Sequence, residues 1–147
     1  MMARDRFELT RKYIERLDEV HNLIMYECDD WKPPTIRARG EKSDPTANRA
    51  AYNVDELAEK LAALRREESE LLEFIGLTIA IIEGVRAGFG EVYANLLEVR
   101  YVDGWTWARI SDDYGIKRST GYNLLAIAFD WVDSVGVSRL LAGDTEV

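Results

Sequence analysis

The only cysteine and the only histidine, Cys28 and His21, are the first candidates for nucleophile and base, and they stand seven positions apart. On a helix that separation is about 10 Å along the axis, beyond the reach of a thiolate–imidazole pair. Both are therefore expected as packing residues. A single cysteine allows neither an intrachain disulfide nor a cysteine-based zinc cluster, and the composition suits a reducing cytosol. The carboxylate pairs Glu67-Glu68 and Asp112-Asp113 fall inside helical patterns, where solvated surface is the ordinary reading. Gly84, Gly88 and Gly90 lie close together, but no strand precedes them and the third glycine of a dinucleotide fingerprint is absent. Without a Ser/His/Asp set or metal-ligand spacing, the sequence points away from an enzyme and implies no metal and no cofactor. Two other clusters remain. Residues 31–43 carry Lys32, Arg37, Arg39 and Lys42 against Glu41, and residues 117–123 read Lys-Arg-Ser-Thr-Gly-Tyr-Asn.

The elements that must carry these clusters are helical throughout. Leu9, Tyr13, Leu17, Val20 and Ile24 recur at steps of three and four, predicting an amphipathic helix over about 4–28 with Arg6, Lys12, Glu15, Arg16 and Glu19 on its solvent side. Pro33-Pro34, Gly40 and Asp44-Pro45 break the pattern, so 29–51 is expected as a basic loop or soluble connector. Helical spacing resumes over about 54–84 with Leu57, Leu61, Leu64, Leu71, Ile75 and Ile82, with Glu68 and Thr78 at two seam positions. Two such stripes joined by a loop suggest a long antiparallel helical hairpin over 1–85, with a homodimeric coiled coil as the rival arrangement. The glycine cluster then marks a hinge. Beyond it come a helix over 91–102, a short helix over 106–114, a turn at Gly115 and a helix over 117–132, followed by a frayed acidic tail over 137–147.

At 147 residues the chain has room for one compact domain, or a small domain with a helical extension. Its 47% hydrophobic and 31% charged content is that of a globular protein. The net charge of −8 excludes diffuse attraction to nucleic acid or anionic lipid, so any DNA contact must be local. The most apolar stretch, 71–85, is interrupted by Glu73 and Glu83 and is shorter than the roughly 20 residues of a bilayer span. No membrane association is expected, and the mixed charges of the first eight residues read as an untargeted, cytoplasmic chain.

Within 106–124 the spacing is that of a helix-turn-helix. Ile110 and Tyr114 are read as inward positions, Ser111 is small, Gly115 tolerates the turn's positive φ, and Ile116 and Leu124 pack behind it. Such a unit presents the start of its second helix to a DNA major groove. The run from Leu96 to Leu124 resembles region 4 of bacterial sigma factors, through Leu97, Tyr101, Gly104, Trp105, Thr106, Ile110, Gly115 and Ile116. Taken whole, with Asp44-Pro45 and the apolar pattern over 57–82, the chain is similar to phage-encoded late transcriptional regulators of Gram-positive hosts. That resemblance implies a phage or prophage DNA-binding transcription regulator acting on double-stranded DNA, with RNA polymerase and a second copy of the chain as further partners.

Carried over by position, the resemblance makes 117–129 the recognition helix, with Lys117, Arg118, Ser119, Thr120, Tyr122 and Asn123 placed to meet DNA. Arg118 is suited to guanine O6 and N7, Asn123 to adenine, and Ser119 or Thr120 to phosphate. Thr106 is expected to cap the preceding helix, whose free N–H groups, with Arg109 one turn on, suit a phosphate. Two positions depart from the family. Gly121 stands where a branched apolar residue is usual, with Trp105 or Trp107 expected to fill the space, and Lys117 stands where serine commonly caps. The apolar run after Asn123 gives a core stripe of Leu124, Ile127, Ala128, Trp131 and Val132, with Leu125, Phe129 and Val132 offered as a dimer or polymerase contact. Three readings follow: a DNA-binding regulator, a protein-interaction module on the same scaffold, and a packaging adaptor like a small terminase subunit.

Overall fold

The structure, a computed structural model, describes residues 1–30 and 44–143, with 28–30 and 44–53 described by backbone alone. Among them the fold is all-α, as the periodicity implies. The elements are α1 (Ala3–Asp30), α2 (Asp44–Gly88), α3 (Glu91–Leu97), a π-helical turn (Glu98–Val102), α4 (Trp107–Tyr114), α5 (Arg118–Val135) and α6 (Val137–Leu141). None of these helices is long and apolar enough to cross a membrane.

Several expected boundaries move for local reasons. The second helix begins at Asp44 rather than near 54, because Pro45 falls in its first turn, where a missing N–H and a fixed φ are compatible with helix. The expectation of a loop over 44–51 is thereby corrected, since it treats this proline as a helix breaker. The basic segment 31–43 and residues 144–147 lie outside the described residues, as does the side chain of Cys28. The tail is not wholly frayed, since α6 forms and buries Leu140.

Packing divides the chain into two compact units, one of Met1–Glu15 with Leu72–Val147 and the other of Arg16–Leu71. The division thus falls across both long helices. In the Arg16–Leu71 unit, Val20, Ile24, Leu64 and Leu71 are buried. Polar pairs flank them: Arg16 donates to both Glu67 oxygens at 2.6 and 3.1 Å, and Lys60 donates to Glu27 at 2.6 Å. The low residue number of α1 meets the high one of α2, so the helices run antiparallel. Hydrogen bonding from Arg16 holds the Glu67 carboxyl below its usual range. His21 is exposed rather than packed, with Nε2 2.9 Å from the Glu68 carboxylate, which accounts for an acidic residue at that seam position.

The larger unit has a continuous core in which Phe7 of α1, Ile81, Ile82 and Val85 of α2, Leu97 of α3, Ile110 of α4, and Leu125, Phe129 and Val132 of α5 are all buried. Leu125, Phe129 and Val132 are consequently consumed internally and form no exposed contact for a dimer or polymerase. The α5 stripe is rotated from the expected one: Ile127 is 45% exposed, while Gly121, Leu125, Ala128, Phe129, Val132 and Val135 face inward. The start of α1 is tied to the same core, with the Ala3 N–H donating to Asp133 Oδ1 at 2.8 Å and satisfying a free donor at a helix N-terminus.

A buried polar layer explains the second exception on the α2 stripe. Thr10 and Thr78 are both fully buried, with hydroxyl oxygens 2.9 Å apart. Arg6 Nε donates to Thr78 Oγ1 at 3.2 Å, and the guanidinium lies 4.3 Å from the Phe74 ring centroid. Arg6 is therefore part of the packing and not of the solvated face, and burial pushes its pKa below the ordinary value. Thr78→Val keeps the shape but strands its polar partners, so an expected loss of about 1–3 kcal/mol in urea unfolding follows. Changing Thr10 to valine as well should recover part of that loss, and a double variant worse than the sum of the singles would contradict the pairing.

Candidate nucleic-acid interface

The short helix α4 is delimited by its caps. Thr106 has extended backbone, and its side-chain oxygen accepts from the Arg109 N–H at 3.3 Å, which is the expected N-cap. At the other end Gly115 has φ of 66°, a left-handed conformation that glycine adopts without a Cβ penalty, and its N–H donates to the Ser111 carbonyl at 2.9 Å. Thr106→Ala is expected to destabilise the larger unit by about 1 kcal/mol, read as a lowered denaturation midpoint. No change in the midpoint would mean that the cap is idle.

Ile116 and Lys117 bridge to α5, whose first turn has no side-chain cap, leaving early N–H groups without an intrahelical acceptor. Lys117, Arg118, Ser119, Thr120, Tyr122 and Asn123 are all exposed, as are Thr106 and Arg109. The opposite side of the same two turns is closed by Gly121 and Leu125. Tyr114, expected to face inward, is 46% exposed, and Ile116 and Leu124 are half-buried.

Gly121 is explained by the helix it touches. A Cβ built there would run into the six-membered ring of Trp107, so the indole occupies the space that a side chain on α5 would need. Of the two tryptophans considered for this gap, Trp107 fills it, whereas Trp105 stacks under Arg109, whose guanidinium is 3.8 Å from its centroid.

Trp107 also organises the exposed side. Its ring is 4.8 Å from that of Tyr122, and the Arg100 guanidinium lies 5.0 Å from it. Arg100 is fixed in turn by donating from Nη1 to the Trp105 carbonyl at 2.9 Å. Arg118 Nη2 donates to Tyr122 Oη at 3.3 Å, with the guanidinium 5.5 Å from that ring. The Tyr122 hydroxyl is held below its ordinary pKa chiefly by the hydrogen bond from Arg118. The Trp107 indole N–H itself is buried and has no hydrogen-bond partner among the described residues. Two rings, Trp107 and Tyr122, thus lie in contact with each other and carry one guanidinium each, Arg100 on the first and Arg118 on the second.

Of the eight residues expected at the interface, Arg118 and Tyr122 are in direct contact, and Thr106 and Arg109 are joined through the cap. Arg109 is partly engaged elsewhere, with Nε 3.9 Å from Asp113. Arg100 was missed from sequence because its partners Trp105 and Trp107 lie beyond the end of its own helical segment at Val102, where helical spacing no longer says which side chains meet. Arg11 was missed for a similar reason: it reaches from α1 to the Val102 carbonyl at 3.1 Å, beside Gly104, whose φ is 73°. Among the described residues no group of three His, Cys, Asp or Glu side chains is arranged to hold a metal ion. Comparisons with protein-family models, with curated proteins and with solved structures find no match for the chain.

Proposed function

We propose that this chain is a DNA-binding transcription regulator of phage or prophage type, working in the cytoplasm, which places 117–129 in a major groove of double-stranded DNA. One observation carries the reading: the first two turns of α5 are polar and exposed on one side and buried on the other, directly after a capped short helix and a left-handed glycine. That is the arrangement a helix-turn-helix needs to present side chains while phosphates meet its helix N-termini. Lys117 and Arg118 supply local positive charge within an acidic protein. Few phosphate contacts then imply a shallow dependence on salt.

The test is selection of bound fragments from genomic DNA, followed by titration of the best fragment at two salt concentrations. Arg118→Ala is expected to weaken specific binding by about 1–3 kcal/mol, roughly 5- to 150-fold, and to relax preference at one base position. Absence of any enriched fragment even at low salt would sink the proposal. A second reading, a protein-interaction module that docks RNA polymerase or a packaging assembly, draws on a small, mainly apolar cleft lined by Val92, Asn95, Leu96, Tyr114 and Ile116. It would gain from stoichiometric polymerase capture by a chain that selects no DNA.

A further inference from the structure

Resting on the DNA-reading proposal, we infer that Tyr122 is a positioning residue that sets Arg118 to read a guanine in duplex DNA. Arg118 opens α5 and Tyr122 follows one turn later, so the two lie on one face. The 3.3 Å hydrogen bond from Nη2 to the tyrosine hydroxyl fixes one end of the guanidinium. Tyr122 leans on Trp107, which is buried and backed by Gly121. An exposed arginine normally gives up considerable rotamer freedom on binding; here part of that ordering is already made by contacts leading back to the core. Among the described residues no carboxylate pairs with Arg118, so its charge stays available.

The donor geometry selects the ligand. A guanidinium has two edges able to form paired hydrogen bonds, and each uses one Nη2 hydrogen. Donating one of these to Tyr122 leaves a single edge free. Guanine offers two adjacent acceptors, N7 and O6, to such an edge, whereas adenine sets a donor beside N7 and rejects it. Tyr122 thus acts through Arg118, by choosing which edge faces the base.

The experiment uses the full chain and its best selected duplex, with each guanine replaced in turn by 7-deazaguanine, which removes the N7 acceptor. For the wild type, one replacement should weaken binding about tenfold, within the range of a lost bidentate contact. Tyr122→Phe keeps the ring on Trp107 and should shrink that penalty to about threefold or less, with a smaller loss on random duplex. Arg118→Lys keeps the charge without the fork and should abolish the penalty, and adding Tyr122→Phe to it should change nothing further. A full penalty retained in Tyr122→Phe would overturn the inference. So would equal losses on specific and random duplex, which mark a merely structural role. If the wild type selects a site in which no guanine matters, only this inference falls; if it selects no site, the functional proposal falls with it.

Discussion

Gly121→Val is expected to lower the stability of the larger unit by about 3 kcal/mol, at the upper end of what overpacking a core produces. The Cβ alone would fall well inside van der Waals contact with the Trp107 ring. Relief by moving the indole is restricted, since Tyr122 and Arg100 pack against the same ring and Trp107 is itself buried. Removing glycine from a helix interior returns at most about 1 kcal/mol, so the steric effect wins. Gly121→Ala should show the same sign at smaller size. The decisive comparison is a cycle with Trp107→Leu: alone it opens a cavity, but combined with Gly121→Val the added methyl groups enter vacated space. The double variant should therefore be more stable in urea unfolding than the sum of the singles, by 1 kcal/mol or more for groups in direct contact. Additive losses, or a raised midpoint for Gly121→Ala, would show that the close approach does not exist. This pair sits at the junction of α4 with α5, so destabilising it should also blunt any DNA discrimination that depends on Arg118.

The parts of this arrangement governed by local chemistry were legible in the sequence. Thr106 before an apolar-periodic segment signals an N-cap, and Gly115 after Tyr114 signals a left-handed turn, since each depends on its own neighbours alone. The alternation of small and large residues at Gly121 and Trp107 was half legible: the vacancy could be read, but two tryptophans competed to fill it. The phase of α5 was not legible. Leu124-Leu-Ala-Ile-Ala-Phe129 is apolar at every position, so no polar residue marks which side faces out, and tertiary partners decide. The hydrophobic pattern identified Thr78 and Glu68 as irregular but could not find their partners, Thr10 and His21, which lie on another helix. Long-range devices such as Arg11 on the Val102 carbonyl span 91 residues and leave no periodic trace.

Phe7→Ala should cost about 3–5 kcal/mol, a large share of the total stability of a domain this size. Phe7 is fully buried, with its ring 5.6 Å from Tyr101 and 5.5 Å from Phe129, so its loss removes one corner of an aromatic cluster that joins α1 to the π-helical turn and α5. Tyr101 supplies an internal reporter. Its hydroxyl is pushed above the ordinary tyrosine value chiefly by burial, with Glu8 adding to the shift. A cavity at position 7 that admits water should lower that value, read as tyrosine titration at an earlier alkaline pH. The linkage has a fixed sign: the folded state favours the protonated phenol, so its contribution is present below about pH 10 and declines as pH rises through the raised folded value. Phe7→Ala should shrink this alkaline decline as well as lower the denaturation midpoint. The same packing bears on DNA binding. Met1–Glu15 belongs to the compact unit that contains α4 and α5, so a fragment beginning near residue 86 lacks Phe7 and the Ala3–Asp133 bond. Such a fragment should unfold at much lower urea than the full chain and bind the selected duplex only as far as it folds. A fragment as stable as the full chain would show that α1 lends nothing to the interface.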